Sequence, residues 1–442
     1  MKSIDKLKRL TGEDKAPKKT EPVQPDSASS SERQSQLADL RGRIENVVTR
    51  GALRTRAAQE EARARGNRAL CELLEGEEIE NRHGRFFLAG GFLSGVSRHG
   101  HRSICEAFNF DMTAAGMLAN NPVLGAYHPS DALFLDTETT GLSGGTGTMA
   151  FLIGLGWYEE GRFHVRQILA RDFSEEPAAL ACLQEIAAQK KFLVTFNGKA
   201  FDVNLLATRF ILNRMQSSLH ELPHLDLLHP SRRLLGHRLE NCRLATLEAD
   251  ILGVEREGDI PGWEIPQRYF DWLRRRDPRL LADIFEHNRL DVISMATLTA
   301  HLVDLLNAQA LQQHAHPDDY LAAARLLLKK AGTAGVYKIL EILGENACAE
   351  LSLSSKKNLA NLCKRTGRMD EAVRIWRRML DCDPNDFYAV TELAKHLEHR
   401  ARDYGQAKAL IEKAMAGDNF FSEEEKDSLE HRLNRLNARK TL

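Results

Sequence analysis

Asp136-Thr137-Glu138 sets two carboxylates two residues apart, directly after the apolar run Ala132-Leu133-Phe134-Leu135. Acids are 62 of the 442 residues, so an acid-x-acid triplet arises by chance roughly nine times and means little by itself. Position separates this one. Residues i and i+2 of a strand point to one face, so both carboxylates emerge together where the strand ends. Two anions held so closely repel, and each must be protonated or bound to a cation. Two further acid-bearing segments follow. In Asn197-Gly198-Lys199-Ala200-Phe201-Asp202 the Asn-Gly pair suits a tight turn with positive φ, which brings Asp202 up at the start of the next helix. In His287-Asn288-Arg289-Leu290-Asp291, inside an apolar-periodic helix, His287 and Asp291 lie four apart and share a face. Any one segment would ordinarily be solvated acids or a packed histidine. Three in succession suggest a common site.

The elements that must carry these residues alternate in a readable way. Ala132 to Leu135 is a short buried strand. Met149 to Trp157 and Phe163 to Leu169 are two more, joined around Glu159-Glu160-Gly161 as a hairpin. Ser174, with Glu175 and Glu176 behind it, is the expected N-cap of a helix running to about Gln189. Phe192 to Phe196 is a fourth strand, a helix starts at Asp202, and His224 to Leu228 is a fifth strand. The rest to about Leu306 reads as helix. The expected class is therefore α/β, a mixed five-stranded sheet flanked by helices.

With these residues in place, the chain resembles the DEDD superfamily of 3′–5′ exonucleases. Leu133 to Leu142, Thr195 to Asp202 and His287 to Asp291 look like its three motifs, with 66 residues from Asp136 to Asp202 and 89 from there to Asp291. Asp259-Ile260-Pro261-Gly262-Trp263-Glu264-Ile265-Pro266 and Gly144-Gly145-Thr146-Gly147 are similar to the bacterial YprB-type ribonuclease H-like branch. The resemblance implies a ribonuclease H-like domain over 127–306 and a two-metal phosphodiesterase acting on nucleic acid, DNA or RNA. It makes Asp136, Glu138, Asp202 and Asp291 the four acidic ligands of two Mg²⁺ or Mn²⁺ ions, which hard carboxylate oxygens suit. Asn197 and Phe201 would shape the pocket for the terminal nucleotide. His287 has the residue type of the superfamily's histidine subtype but the spacing of its tyrosine subtype. One residue on a helix is about 100° of rotation, so the tyrosine-type geometry aims it at the site, to orient or deprotonate the attacking water.

Outside this region the chain divides further. Residues 1–36 are rich in Lys, Glu, Pro and Ser and read as a disordered tail. Residues 37–126 form an expected extension, first an Arg-rich helix, then glycine-dotted short strands; His99, His101 and Cys105 there lack a fourth metal ligand. From 317 to 442 strand signals vanish. Leu359-Ala360 recurs as Leu393-Ala394, 34 residues on, and Glu371-Ala372 as Gln406-Ala407, 35 on, with Pro384 closing the first unit. This pattern resembles tetratricopeptide repeats, a helical scaffold with room for a protein partner. Ser422 with Glu425 forms a capping box for a last helix. A net charge of −1 excludes a protein basic throughout, though not a local basic groove. Arg232, Arg233 and Arg238, and later Arg274-Arg275-Arg276, are candidates for phosphate contact, with solvated helix faces as the default for each. Seven scattered cysteines without CxxC spacing argue against a disulfide framework and for a reducing cytoplasm. No apolar stretch is long enough to span a membrane. The competing function is a non-catalytic scaffold that binds nucleic acid and recruits a partner through its repeats.

Overall fold

The computed structural model describes residues 56–439, apart from 142–146, 308–315, 335, 338, 342, 344–350 and 417–420. The expected tail, the Arg-rich segment as far as 55, and Gly144-Gly145-Thr146 lie outside the described residues. The chain divides into two units at Arg65/Gly66; residues 56–65 of the first are helical, and the second is described below.

Its strands are β1 (Glu77–Asn81), β2 (Gly84–Leu93), β3 (Arg98–His99), β4 (Arg102–Ser103), β5 (Ala132–Thr139), β6 (Ala150–Glu159), β7 (Arg162–Leu169), β8 (Phe192–Thr195) and β9 (His224–Asp226). β3 and β4 make a small ribbon, and the other seven form one sheet in the order β1-β2-β7-β6-β5-β8-β9. β5, β8 and β9 run parallel, and the remaining pairings are antiparallel. The mixed sheet with flanking helices is as expected, but among the described residues it has seven strands rather than five. The additional two come from the segment read as a preceding extension: β2 pairs with β7 from Phe87↔Leu169 to Leu93↔Phe163. Its glycines dilute the strand signal, while Phe86 and Phe87 are fully buried and anchor it.

The hairpin between β6 and β7 turns on Glu160 and Gly161, both at positive φ (50° and 72°), the pairing of conformations that a two-residue turn requires. Helices flank both faces: α1 (Met112–Ala119), α2 (Glu176–Ala187), α3 (Asp202–Leu212), α4 (Leu228–Leu234), α5 (Ile265–Arg275) and α6 (Arg279–Asn307). The expected cap at Ser174 is corrected to Asp172, which accepts hydrogen bonds from the Ser174 amide at 3.0 Å and hydroxyl at 2.6 Å. A single 3₁₀ turn then precedes α2. Glu175 turns inward onto the buried Arg171 (2.8 Å), so this acid is not a solvated first-turn residue.

Alternation along β5 divides the core. Phe134 faces one apolar cluster, Leu133 and Leu135 the other. Helix α6, about 43 Å long at 1.5 Å per residue, serves both. Leu281, Ile284 and Phe285 pack into the second cluster and Val292 to Leu306 into the first. The polar stretch from His287 to Asp291 falls at the changeover. Two glycines of β6 let the helix come this close. A Cβ on Gly154 would stand 2.2 Å from Asn288 Oδ1, and one on Gly156 2.6 Å from Val292 Cγ1.

The remaining chain is helical, as expected: α7 (Pro317–Lys330), α8 (Leu353–Arg365), α9 (Met369–Cys382), α10 (Phe387–His396), α11 (Tyr404–Met415) and α12 (Glu423–Arg439). Ala360, Ala372, Trp376, Leu393, Ala394 and Ala407 are all buried between successive helices. α7 packs on α6 and α4 and is fastened by Arg238, whose guanidinium donates to both oxygens of the buried Asp319 at 2.9 and 2.8 Å. Ser422 and Glu425 cap α12 reciprocally. Among the described residues six cysteines are free, and no helix is long and apolar enough to cross a membrane.

Candidate active site

Asp136 and Glu138 leave β5 on the face that α6 covers, and the pairing with β6 shifts register directly after Glu138. Thr137, between them, points to the opposite face and donates its hydroxyl to Asp202 at the first turn of α3. Asp202 is delivered there by a turn in which Asn197 has φ 63°, as the Asn-Gly pair suggests. Asp226, at the end of β9, holds that turn: its carboxylate accepts from the backbone N–H of Asn197 (2.8 Å) and Lys199 (3.1 Å). From α6, Asn288 donates to Asp136 Oδ2 at 2.8 Å while its own Oδ1 accepts from Gln167 at 2.9 Å. The amide is thus oriented by two bonds that allow only one assignment of its oxygen and nitrogen.

Asp291 and His287 lie one turn apart on α6. Nε2 of His287 stands 3.8 Å from Asp291 Oδ2 and 4.0 Å from Glu138 Oε1. Its Nδ1 is 2.7 Å from Asp259 Oδ1. A carboxylate can only accept, so in this bond Nδ1 donates, and Nε2 faces the acids. Arg256, largely buried, brings a guanidinium to Asp291, Glu248 and Asp259. The structure therefore gathers Asp136, Glu138, Asp202, His287 and Asp291 into one site. It does not gather all that the sequence proposes. Asn197 is exposed, Phe201 packs against the apolar cluster, and neither contacts the carboxylates in the described hydrogen bonds and ion pairs. His99, weighed as a metal ligand, is buried and bonded to Ser294 Oγ at 2.7 Å.

The electrostatics follow from burial and crowding. Burial first, then the charges of Asp291 and Asp202, push Asp136 well above the ordinary carboxylate range. Burial and then Asp136, Asp291 and Asp202 do the same to Glu138. Burial lifts Asp202 to about 6 against the bond from Thr137. For Asp259, burial opposes ionisation, but the bond to His287 and the charge of Arg256 outweigh it and hold the carboxyl low. Crowded carboxylates of this kind call for positive charge, and their oxygens are donors of the type that hard divalent cations take. Among the described residues no group of three or more His, Cys, Asp or Glu stands in ready metal-holding geometry. Three of the four acids are instead held by a protein donor: Asn288 on Asp136, Thr137 on Asp202, Arg256 on Asp291. The donor chemistry fits divalent cations, provided those donors yield.

Arg256, Asp259, Asn288 and Asp226 escape assignment from sequence. Asp259 is visible there only as part of a resembling segment, and Arg256 falls in a stretch read simply as helix, where nothing singles it out. Asn288 is the one with a usable signal, since it is flanked by His287 and Asp291.

Residues 133–303 match a family model, RNase_H_2, of the RNase H superfamily, a nuclease-type fold whose members commonly use divalent metals. The uncharacterized protein YprB of Bacillus subtilis is 34% identical to this chain over 314 residues, which cover 70% of this chain and 75% of that protein. The strand order, the acid-lined end of β5 and this shared length agree: the chain belongs to the YprB family and carries an RNase H-superfamily domain.

Proposed function

We propose that this protein is a divalent-cation-dependent phosphodiesterase of DEDD type that shortens nucleic acid, DNA or RNA, from the 3′ end. One observation carries the reading: the charges of Asp202 and Asp291, from two distant segments, bear on the buried carboxyls of Asp136 and Glu138 and help to push both up. Mg²⁺ or Mn²⁺, as a pair held by these four carboxylates, would supply neutralisation of that charge and polarisation of the scissile phosphate. The protein's own part is proton handling and positioning. His287 Nε2 accepts the proton of the attacking water as the new P–O bond forms. The bond from phosphorus to the 3′ oxygen of the preceding nucleotide breaks, and that oxygen takes a proton from solvent. Asp259 keeps the ring in the tautomer this needs. Asn288 fixes Asp136, and the turn from Asn197 to Phe201 borders the terminal nucleotide.

The helical region is read here as tetratricopeptide-type pairs, α8 with α9 and α10 with α11, a scaffold for a protein partner, and the setting as cytoplasmic. One feature favours the competing non-catalytic reading: Arg256 already neutralises Asp291. The deciding assay offers end-labelled single- and double-stranded DNA and RNA with Mg²⁺ or Mn²⁺, with and without EDTA. Stepwise shortening from the 3′ end by the native chain, abolished by EDTA and by Asp136→Ala, is expected. Digestion of nothing by the native chain, or equal digestion by both proteins, would falsify the proposal.

A further inference from the structure

β8 and β9 run parallel to β5, so the chain after each emerges at the same end of the sheet as Asp136. Between the turn after β8 and helix α4 after β9 lies a cleft of about 560 Å³ lined by Lys199, His229, Arg232 and Arg233, with Asn120 and Asp226. Lys199, Arg232 and Arg233 are exposed, and among the described residues none has a carboxylate at ion-pair distance. A fourth cation reaches the rim from the helical region, where Lys330 of α7 donates to Asn120. The one acid among these lining residues does not offset them. Asp226 is buried, and its oxygens accept from the backbone N–H of Asn197, Lys199 and Leu228. Unpaired cations gathered in a cleft are a cost to the free protein that an anion removes.

The kind of anion follows from the same contacts. A lone phosphate is best cradled by converging backbone N–H groups, and here the N–H groups of Asn197 and Lys199 are already spent on Asp226. What remains is a spread of long, flexible cations, which suits a repeating charge. Lys199 is three residues before Asp202, and the intervening turn is pinned by Val203 N–H on Gly198 O (3.0 Å) and Asn204 on Lys199 O (3.2 Å). A chain of phosphates lying in the cleft is thereby led to the acids.

We propose that this cleft binds the phosphodiester backbone of a single nucleic-acid strand through Lys199, Arg232 and Arg233, and so feeds the strand to the acidic site. The inference rests on reading that site as a nuclease centre, but its test does not depend on cleavage. The full chain in EDTA is titrated into fluorescein-labelled dT and U strands of about 12 nucleotides, and anisotropy is followed between roughly 50 and 200 mM salt. Lys199→Ala/Arg232→Ala/Arg233→Ala should weaken binding by about 10-fold or more at the low end. It should also flatten the salt slope by about 2, at ~0.7 per phosphate contact on a single strand. Arg232→Gln/Arg233→Gln, which leaves the turn untouched, should give an intermediate loss. Lys199→Arg/Arg232→Lys/Arg233→Lys should keep binding, and Arg274→Ala/Arg275→Ala on α5 should change neither quantity. Unaltered affinity and slope in the triple alanine variant would overturn the inference. So would displacement of the strand by inorganic phosphate as readily as by unlabelled strand. A native chain that binds through these residues yet cleaves nothing sinks the nuclease reading alone. A native chain that cleaves, beside a triple variant that binds undiminished, sinks the cleft alone.

Discussion

Asp259→Asn removes a charge from beside His287 and leaves the shape of the side chain nearly unchanged. The amide can present its NH₂ to Nδ1, which then no longer needs its proton, and the proton moves to Nε2, where the base is wanted. Nuclease activity should drop roughly 10- to 100-fold, the range seen when a partner that orients a histidine is lost. Thermal stability should hold; activity equal to the native chain's would show that Asp259 does not act through the ring. Arg256 bears on stability as much as on chemistry. Burial raises Glu248 against the pull of Arg256, and Glu248 is only 1% exposed. Arg256→Gln strands it, so urea unfolding should register a loss of about 3 kcal/mol. A change within experimental error would mean that Glu248 finds another partner or simply protonates.

Two glycines in β6 separate packing from chemistry at the level of elements. Gly154→Ala drives a methyl into Asn288 and so disturbs Asp136, whereas Gly156→Ala drives one into Val292 and Phe163. Both should cost about 1–3 kcal/mol as overpacking, readable as a lowered denaturant midpoint. Only Gly154→Ala should also reduce activity well beyond that shared loss; equal activity in the two variants would deny Asn288 its place in the site. The elements themselves were legible where one physical signal dominated. Apolar runs gave β5 to β8, and the start of α3 at Asp202 followed from the Asn-Gly turn. β1 and β2 were not legible as part of the sheet, because Glu77-Glu78-Ile79-Glu80-Asn81 is nearly all polar and Gly90-Gly91 interrupts the next strand. The acidic ligands proposed for the site could be picked out because three segments bear them in order. Arg256 and Asp259 could not, since nothing in a stretch of alternating charges tells which of them the fold places against α6.

Across the whole molecule, the nuclease-type domain and the helical region share apolar core, with α6 and α7 in one cluster and Arg238 clamping Asp319 between them. Further along, Glu398 is buried beneath Arg432 and Arg435, at 2.8 and 2.7 Å. Burial pushes its carboxyl up, but Arg435, His399 and Arg432 outweigh that and hold it below the usual 4.5. A depressed acid contributes stability that is complete above its unfolded value and disappears as pH falls through the folded one. The helical region should therefore loosen below about pH 4.5, seen as a falling melting temperature by far-UV circular dichroism. Glu398→Gln should melt lower than the native chain at neutral pH and show a shallower decline with acid. Identical acid profiles would assign the sensitivity elsewhere.

β1 is one of the two outer strands of the sheet, and among the described residues no strand pairs with its far side. Three of its five residues are glutamates: Glu78 is tied back to Arg171 at 2.6 Å, Arg85 of β2 pairs with Glu78 and Glu80 at 3.1 and 3.2 Å, and Glu77 is exposed. A second copy docking there would bring glutamate against glutamate along the very hydrogen bonds it sought to make. The strand that widens the sheet thus also terminates it, protecting crowded molecules from zipping together edge to edge.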